Sequence, residues 1–109
     1  MKLQEIIEKL SLKPLTILEE RDVTGVFISD MLSDVMNSAQ PGTLWLTVQS
    51  HKNIVSAANL VDISAVIVTN DKKVPEDTVE LANRFHVMIL SSPMATFELA
   101  TKLVEAGIK

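Results

Sequence analysis

Apolar residues at Leu3, Ile6, Ile7 and Leu10, with glutamates between them, predict a short amphipathic helix rather than the unbroken apolar run of a secretory leader. The helix is expected to stop ahead of Lys13-Pro14, because the residue before a proline is pushed out of the helical region. Leu15-Thr16-Ile17-Leu18 then reads as a strand, and Glu19 to Asp22 as a polar turn. Val23 to Ile28 is a second extended segment with a bend or bulge at Thr24-Gly25. Ser29 or Asp30 supplies an N-cap for a helix expected to turn Met31, Leu32, Val35 and Met36 inward, and Pro41-Gly42 supplies the closing turn.

From Thr43 onward the pattern alternates regularly. Thr43 to Val48 is apolar at nearly every position, as in a strand covered on both faces. Ile54, Val55, Ala57, Ala58 and Val61 mark the buried side of a helix, and Ala65 to Thr69 is another buried strand. After a loop at Asn70 to Lys73, Pro75 opens a helix expected to bury Val79, Leu81 or Ala82, and Phe85. Val87 to Leu90 forms a fourth strand of this series, and Met94 to Glu105 a closing helix ended by Gly107. Strands alternating with helices at this spacing predict right-handed parallel crossovers. The fold class is therefore α/β: a single three-layer α/β/α domain over residues 1–109. Its sheet is mostly parallel, and either parallel throughout or mixed where Leu15–Leu18 and Val23–Ile28 lie.

Composition narrows the function classes. Of 109 residues 47% are hydrophobic and 22% charged, enough apolar material for a core, which sets disorder aside. A net charge of -4 gives no basic footprint, so no nucleic-acid partner is expected. The longest nearly apolar stretch, Ile63 to Val68, falls far short of the ~20 residues that cross a bilayer. No membrane partner and a cytoplasmic location are the corresponding expectations. The absence of cysteine excludes disulfides, thiolate ligands and thiol catalysis. The only glycines, Gly25, Gly42 and Gly107, cannot form a G-x-x-x-x-G-K-[ST], G-x-G-x-x-G or G-x-S-x-G run, so a P-loop kinase is ruled out for this chain. Neither metal nor cofactor is expected, because His51 and His86 lie far apart with no acidic pair at ligand spacing.

Candidate chemistry gathers at the strand exits. Open α/β sheets bind ligands beyond the carboxyl ends of their strands, where helix N-termini present free N–H groups. The predicted exits carry Gln49, Ser50, His51 and Asn53, then Asn70, then Ser91, with Ser29-Asp30 as a further exit. Two readings stay open: these groups are caps and turn residues, each worth ~1 kcal/mol of helix stability, or they form a small anion or nucleotide pocket. His51 sits at a predicted helix N-terminus, where the dipole favours a neutral imidazole able to hydrogen-bond a ligand; alternatively it caps the helix or packs on Trp45. His86 follows Phe85 at a helix end and reads as structural. Asp30 and Asp34 share a helix face that either binds a cation or stabilises the helix N-terminus. The Ser29–Met36 helix carries no lysine or arginine, and Asp30, Met31, Ser33, Asp34 and Met36 are its candidate dimer or partner interface.

The runs Asp22-Val23-Thr24-Gly25-Val26, Ser29-Asp30-Met31-Leu32-Ser33-Asp34-Val35-Met36 and Leu44-Trp45-Leu46-Thr47-Val48-Gln49-Ser50-His51-Lys52-Asn53 resemble the DRTGG domain family. Ala65 to Asn70, Ile89 to Ser92 and Thr96-Phe97-Glu98 continue the resemblance, which spans about residues 15–106. The name motif's arginine and second glycine are Val23 and Val26 here. The resemblance implies a three-layer α/β module similar to the N-terminal domain of the kinase/phosphorylase that acts on the phosphocarrier protein of sugar uptake, without the P-loop. It also implies a similarity to the module found between nucleotide-sensing CBS domains in regulatory pyrophosphatases, where it contributes to a dimer contact. No catalytic activity comes with it. The resulting expectation is a regulatory or ligand-sensing homodimer acting on a protein partner encoded nearby. Two alternatives remain: a purely structural interaction module, and an enzyme of unrecognised type using His51 and Asp30.

Overall fold

The computed structural model describes residues Met1 to Ile108. Helix α1 (Leu3–Leu10) leads into a two-residue strand β1 (Lys13–Pro14). There follow β2 (Gly25–Ile28), α2 (Leu32–Ser38), β3 (Thr43–Thr47), α3 (Asn53–Val61), β4 (Ala65–Val68), α4 (Glu76–Arg84), β5 (Ile89–Ser91) and α5 (Thr96–Glu105). The strands form one sheet in the order β1-β5-β4-β3-β2. β2 to β5 run parallel and β1 runs antiparallel to β5, so the sheet is mixed.

Alternation along each strand assigns side chains to two cores. Leu44, Leu46, Ala65, Ile67, Met88 and Leu90 face α1 and α5, where Leu3, Ile6, Leu99 and Leu103 meet them. Trp45, Val66, Val68, Val87 and Ile89 face the other way, onto Val35 of α2, Ile54, Val55, Ala57 and Ala58 of α3, and Ala82 of α4. Every residue of β3 and β4 is buried, as expected for parallel strands sandwiched between helices. The architecture is the expected three-layer α/β/α arrangement.

Five local expectations are corrected. The first strand is Lys13–Pro14 and not Leu15–Leu18. Leu15 N–H still donates to Ile89 O at 2.9 Å, but the Thr16 hydroxyl then accepts from Ile89 N–H and Ile17 N–H turns to the Asn83 side chain. Side chains thus replace the ladder, and Ile17 is left 73% exposed. Thr24-Gly25 is no bulge within a longer strand: β2 starts at Gly25. Met31 and Met36 do not point inward; they are 60% and 44% exposed. Neither Ser29 nor Asp30 caps α2, which begins at Leu32 after Met31, so its phase turns Val35 into the core and leaves Leu32 half-buried. Phe85, expected inside, is 49% exposed because the helix ends on it.

The segment Asp22-Val23-Thr24-Gly25-Val26 lies at the N-terminal edge of the sheet. Thr24 N–H donates to Gly42 O at 2.9 Å and its hydroxyl to Pro41 O at 3.2 Å. Gly42 is required there: its φ is +82°, and a Cβ would sit 3.0 Å from Thr24 Oγ1. At the same edge Lys2 pairs with Asp22 at 2.9 Å, which lowers the Asp22 carboxyl and raises the Lys2 ammonium from their ordinary values. A hydrogen bond from His86 Nδ1, 2.8 Å away, is the main cause that lowers Glu19, with Arg21 assisting. Arg21 also donates to His86 O at 2.6 Å and Ile63 O at 3.4 Å, fastening the 15–24 segment across the starts of β4 and β5.

Candidate functional site

The parallel strands bring their C-terminal ends, and the loops at 29–31, 48–52, 69–75 and 92–95, to the opposite edge. Two hydrogen-bonded clusters stand there. In the first, Asp30 Oδ1 accepts from Thr47 Oγ1 at 2.8 Å and from Val48 N–H at 2.9 Å. Gln49 completes it, its side-chain amide donating to Asp30 O at 3.0 Å and its N–H to Thr47 Oγ1 at 3.1 Å. Trp45, fully buried below, donates its indole N–H to Ser29 O at 2.8 Å. The Asp30 carboxylate therefore locks the β2 exit onto the β3 exit.

In the second cluster, Thr69 Oγ1 lies 2.9 Å from Thr96 Oγ1 and accepts from the Asn70 side chain at 3.0 Å. Asn70 N–H donates to Met94 O at 2.9 Å and Asp71 N–H to Ser92 O at 3.0 Å, tying the β4 exit to the β5 exit. Asn70 and Asp71 both adopt left-handed backbone, at φ 61° and 55°, a conformation these two residue types tolerate better than most.

The six candidate ligand residues are thus spread along one edge. Gln49, Ser50 and Ser91 are half-buried, while His51, Asn53 and Asn70 are exposed. Ser50 contributes its carbonyl to the Thr78 hydroxyl, at 3.0 Å, joining the β3 exit to α4. His51 is exposed, and its carbonyl accepts from Ile54 N–H at 3.1 Å. Of the six, Ser91 alone lines the groove at this edge, a space of about 270 Å³ shared with Lys13, Lys72 and Lys73. Those lysines were not anticipated from the sequence. Lys72-Lys73 directly after a strand exit is a local signal, but Lys13 reaches the same place only through the antiparallel pairing of β1 with β5.

Ser29 Oγ accepts from Met31 N–H at 3.0 Å and approaches Asp34 Oδ2 at 3.4 Å. All five candidate interface residues, Asp30, Met31, Ser33, Asp34 and Met36, are exposed. Among the described residues no group of three or more His, Asp or Glu is placed to hold a metal ion, and no helix is long and apolar enough to cross a membrane.

A mixed sheet between helical layers, with polar loops gathered at the carboxyl ends of its parallel strands, defines an α/β module of the open-sheet class. The family model of the DRTGG domain matches residues 4–106, and the chain belongs to that family. A solved structure with the same fold is the crystal structure of the CBS and DRTGG domains of the regulatory region of Clostridium perfringens pyrophosphatase, complexed with the activator diadenosine tetraphosphate. The two superpose with a TM-score of 0.77 at 18% identity, covering 95% of this chain and 46% of that one, so the chain spans about half of its relative's length. No curated protein matches the chain in sequence.

Proposed function

We propose that this chain is a non-catalytic regulatory module that senses a small anionic ligand or nucleotide at the carboxyl edge of its sheet and self-associates through α2. The observation that carries the sensing role is the convergence of the β2 to β5 exits on one edge, with Gln49, Ser50, His51, Asn53, Asn70 and Ser91 presented there. The family supports a regulatory role, and the related pyrophosphatase region is one that an adenine dinucleotide activates. A non-catalytic role is supported by the use made of Asp30 at this edge: its carboxylate is held by the Thr47 hydroxyl and Val48 N–H.

Thermal melting in the presence of adenine nucleotides and phosphorylated metabolites tests the sensing role. Ligand at about a hundredfold its Kd adds about 2.7 kcal/mol, a rise of several degrees in a domain this small. A flat melting temperature across the panel at millimolar concentration overturns sensing and leaves a structural interaction module.

Self-association rests on a separate observation: Ile28, Met31 and Met36 are exposed apolar residues on β2 and the adjoining α2 segment. Sedimentation across a concentration series is expected to show dimers that Met31→Lys/Met36→Lys dissociates. A monomer at high micromolar concentration removes this part of the proposal.

A further inference from the structure

The chain leaves β4 for α4, on the Trp45 side of the sheet, and leaves β5 for α5 on the opposite side. β4 and β5 are neighbours, so consecutive connections depart to opposite faces at their carboxyl ends. This is the position at which open α/β sheets receive ligands, because the two diverging loops leave a crevice. Here the Asn70 and Asp71 amides bind the two loops together, so the open space lies beside them, between the 71–74 loop and β1, and the left-handed pair at Asn70-Asp71 turns the chain so that Lys72 and Lys73 follow as exposed neighbours.

β1 adds the third cation. Because it runs antiparallel to β5, Lys13 lies opposite Ser91, at the carboxyl edge. The groove of about 270 Å³ that results has Lys13, Lys72, Lys73 and Ser91 on its walls, the half-buried Leu15 and Val74 as apolar lining, and Asp71 as its one carboxylate. Three of the chain's ten basic residues surround one depression in a molecule of net charge -4. Among the described residues none of these three lysines takes part in an ion pair, whereas Lys2, Arg21 and Lys52 do.

The geometry points to this groove as a binding site for the phosphate or pyrophosphate group of a small phosphorylated metabolite. Lysine ammonium groups bind phosphate as point charges, and the Ser91 hydroxyl can donate a directional hydrogen bond. The space lies just below the ~300 Å³ lower end of small-molecule pockets, so it suits a charged head group whose remainder lies along Leu15 and Val74. A nucleic-acid backbone is disfavoured by the net negative charge of the whole chain. The assignment rests on the sensing role proposed above and gives it an anchor.

Titration of the isotope-labelled chain with inorganic pyrophosphate, followed by amide NMR and calorimetry, tests it. Saturable shifts are expected at Lys13, Lys72, Lys73 and Ser91. Lys72→Gln/Lys73→Gln, at exposed loop positions, is expected to weaken binding about tenfold, or about 1.4 kcal/mol. Lys9→Gln/Lys102→Gln removes the same charge from α1 and α5 and is expected to leave affinity unchanged. Equal weakening by both pairs means diffuse attraction and overturns the groove. Shifts confined to Gln49–Asn53, or no binding of pyrophosphate at about 10 mM, a concentration far above a useful Kd, overturn it too. An adenine nucleotide separates the two ideas: if it raises the melting temperature while pyrophosphate does not bind and Lys72→Gln/Lys73→Gln leaves that rise unchanged, sensing stands and the groove falls. If the groove binds pyrophosphate while the metabolite panel is silent, the binding site stands without the sensing role.

Discussion

Trp45→Ala is expected to lower the unfolding free energy by about 3–5 kcal/mol, the range for removing a large aromatic from a packed core. Trp45 is fully buried on the central part of the sheet and shares its core with Val35, Ile54 and Val66, elements that cannot all collapse into the space it leaves. Its indole N–H also satisfies Ser29 O, which would lose that donor. Ser29 precedes Asp30, the residue that ties the β2 exit to Thr47 and Val48, so the damage should spread to the carboxyl edge. Urea unfolding followed by circular dichroism checks the size, since the chain's only tryptophan is the residue removed. Trp45→Phe, which keeps most of the volume but not the donor, should cost less. A loss for Trp45→Ala below about 1.5 kcal/mol would contradict the packing described, being what a small core deletion costs.

Val23→Arg, which puts back the arginine of the family's name motif, is expected to destabilise this chain by about 2–4 kcal/mol, as unpaired buried charges do. Val23 is 5% exposed and belongs to the core beneath α1 and α5. Its backbone is fixed as well, because Val23 N–H donates to Met1 O at 2.8 Å. A guanidinium there must either lose its water or displace the N-terminal segment. Denaturant midpoints measured beside Val23→Ala separate these effects: the alanine variant reports the lost methyl groups alone, and the arginine variant should be clearly worse. If Val23→Arg falls within about 0.5 kcal/mol of the parent, the scatter expected of a surface change, the side chain escapes to solvent and the position is not core.

The parallel part of the sheet was legible because burial on both faces writes itself as continuous apolar runs. Leu44 to Leu46 and Ala65 to Val68 have no polar residue, and flanking polar segments set their ends. The first strand was harder. Leu15-Thr16-Ile17-Leu18 has strand composition, but its pairing is taken over by the Thr16 hydroxyl and the Asn83 side chain, a tertiary event that no local pattern announces. Met31 and Met36 misled for a related reason. They are apolar at helical spacing, yet Asp30 serves the β3 exit and does not cap α2, so the helix starts later. At the candidate site, the polar exits were readable one by one from turn chemistry. The lysine groove was not, because Lys13 and Ser91 are brought together by an antiparallel pairing between segments nearly eighty positions apart.

A sheet whose main strands all run one way has two chemically different rims. One rim here is structural: Asp22, Val23, Thr24 and Gly42 join the start of β2 to the N-terminus and to the turn before β3, while Arg21 spans the starts of β4 and β5. The other carries the exposed polar loops. Because the core of the sheet lies between them, substitutions in the name motif and substitutions in the loops act on separate properties. Val23 and Val26, which stand where the family motif has arginine and glycine, therefore lie on the rim opposite the one that carries the proposed site.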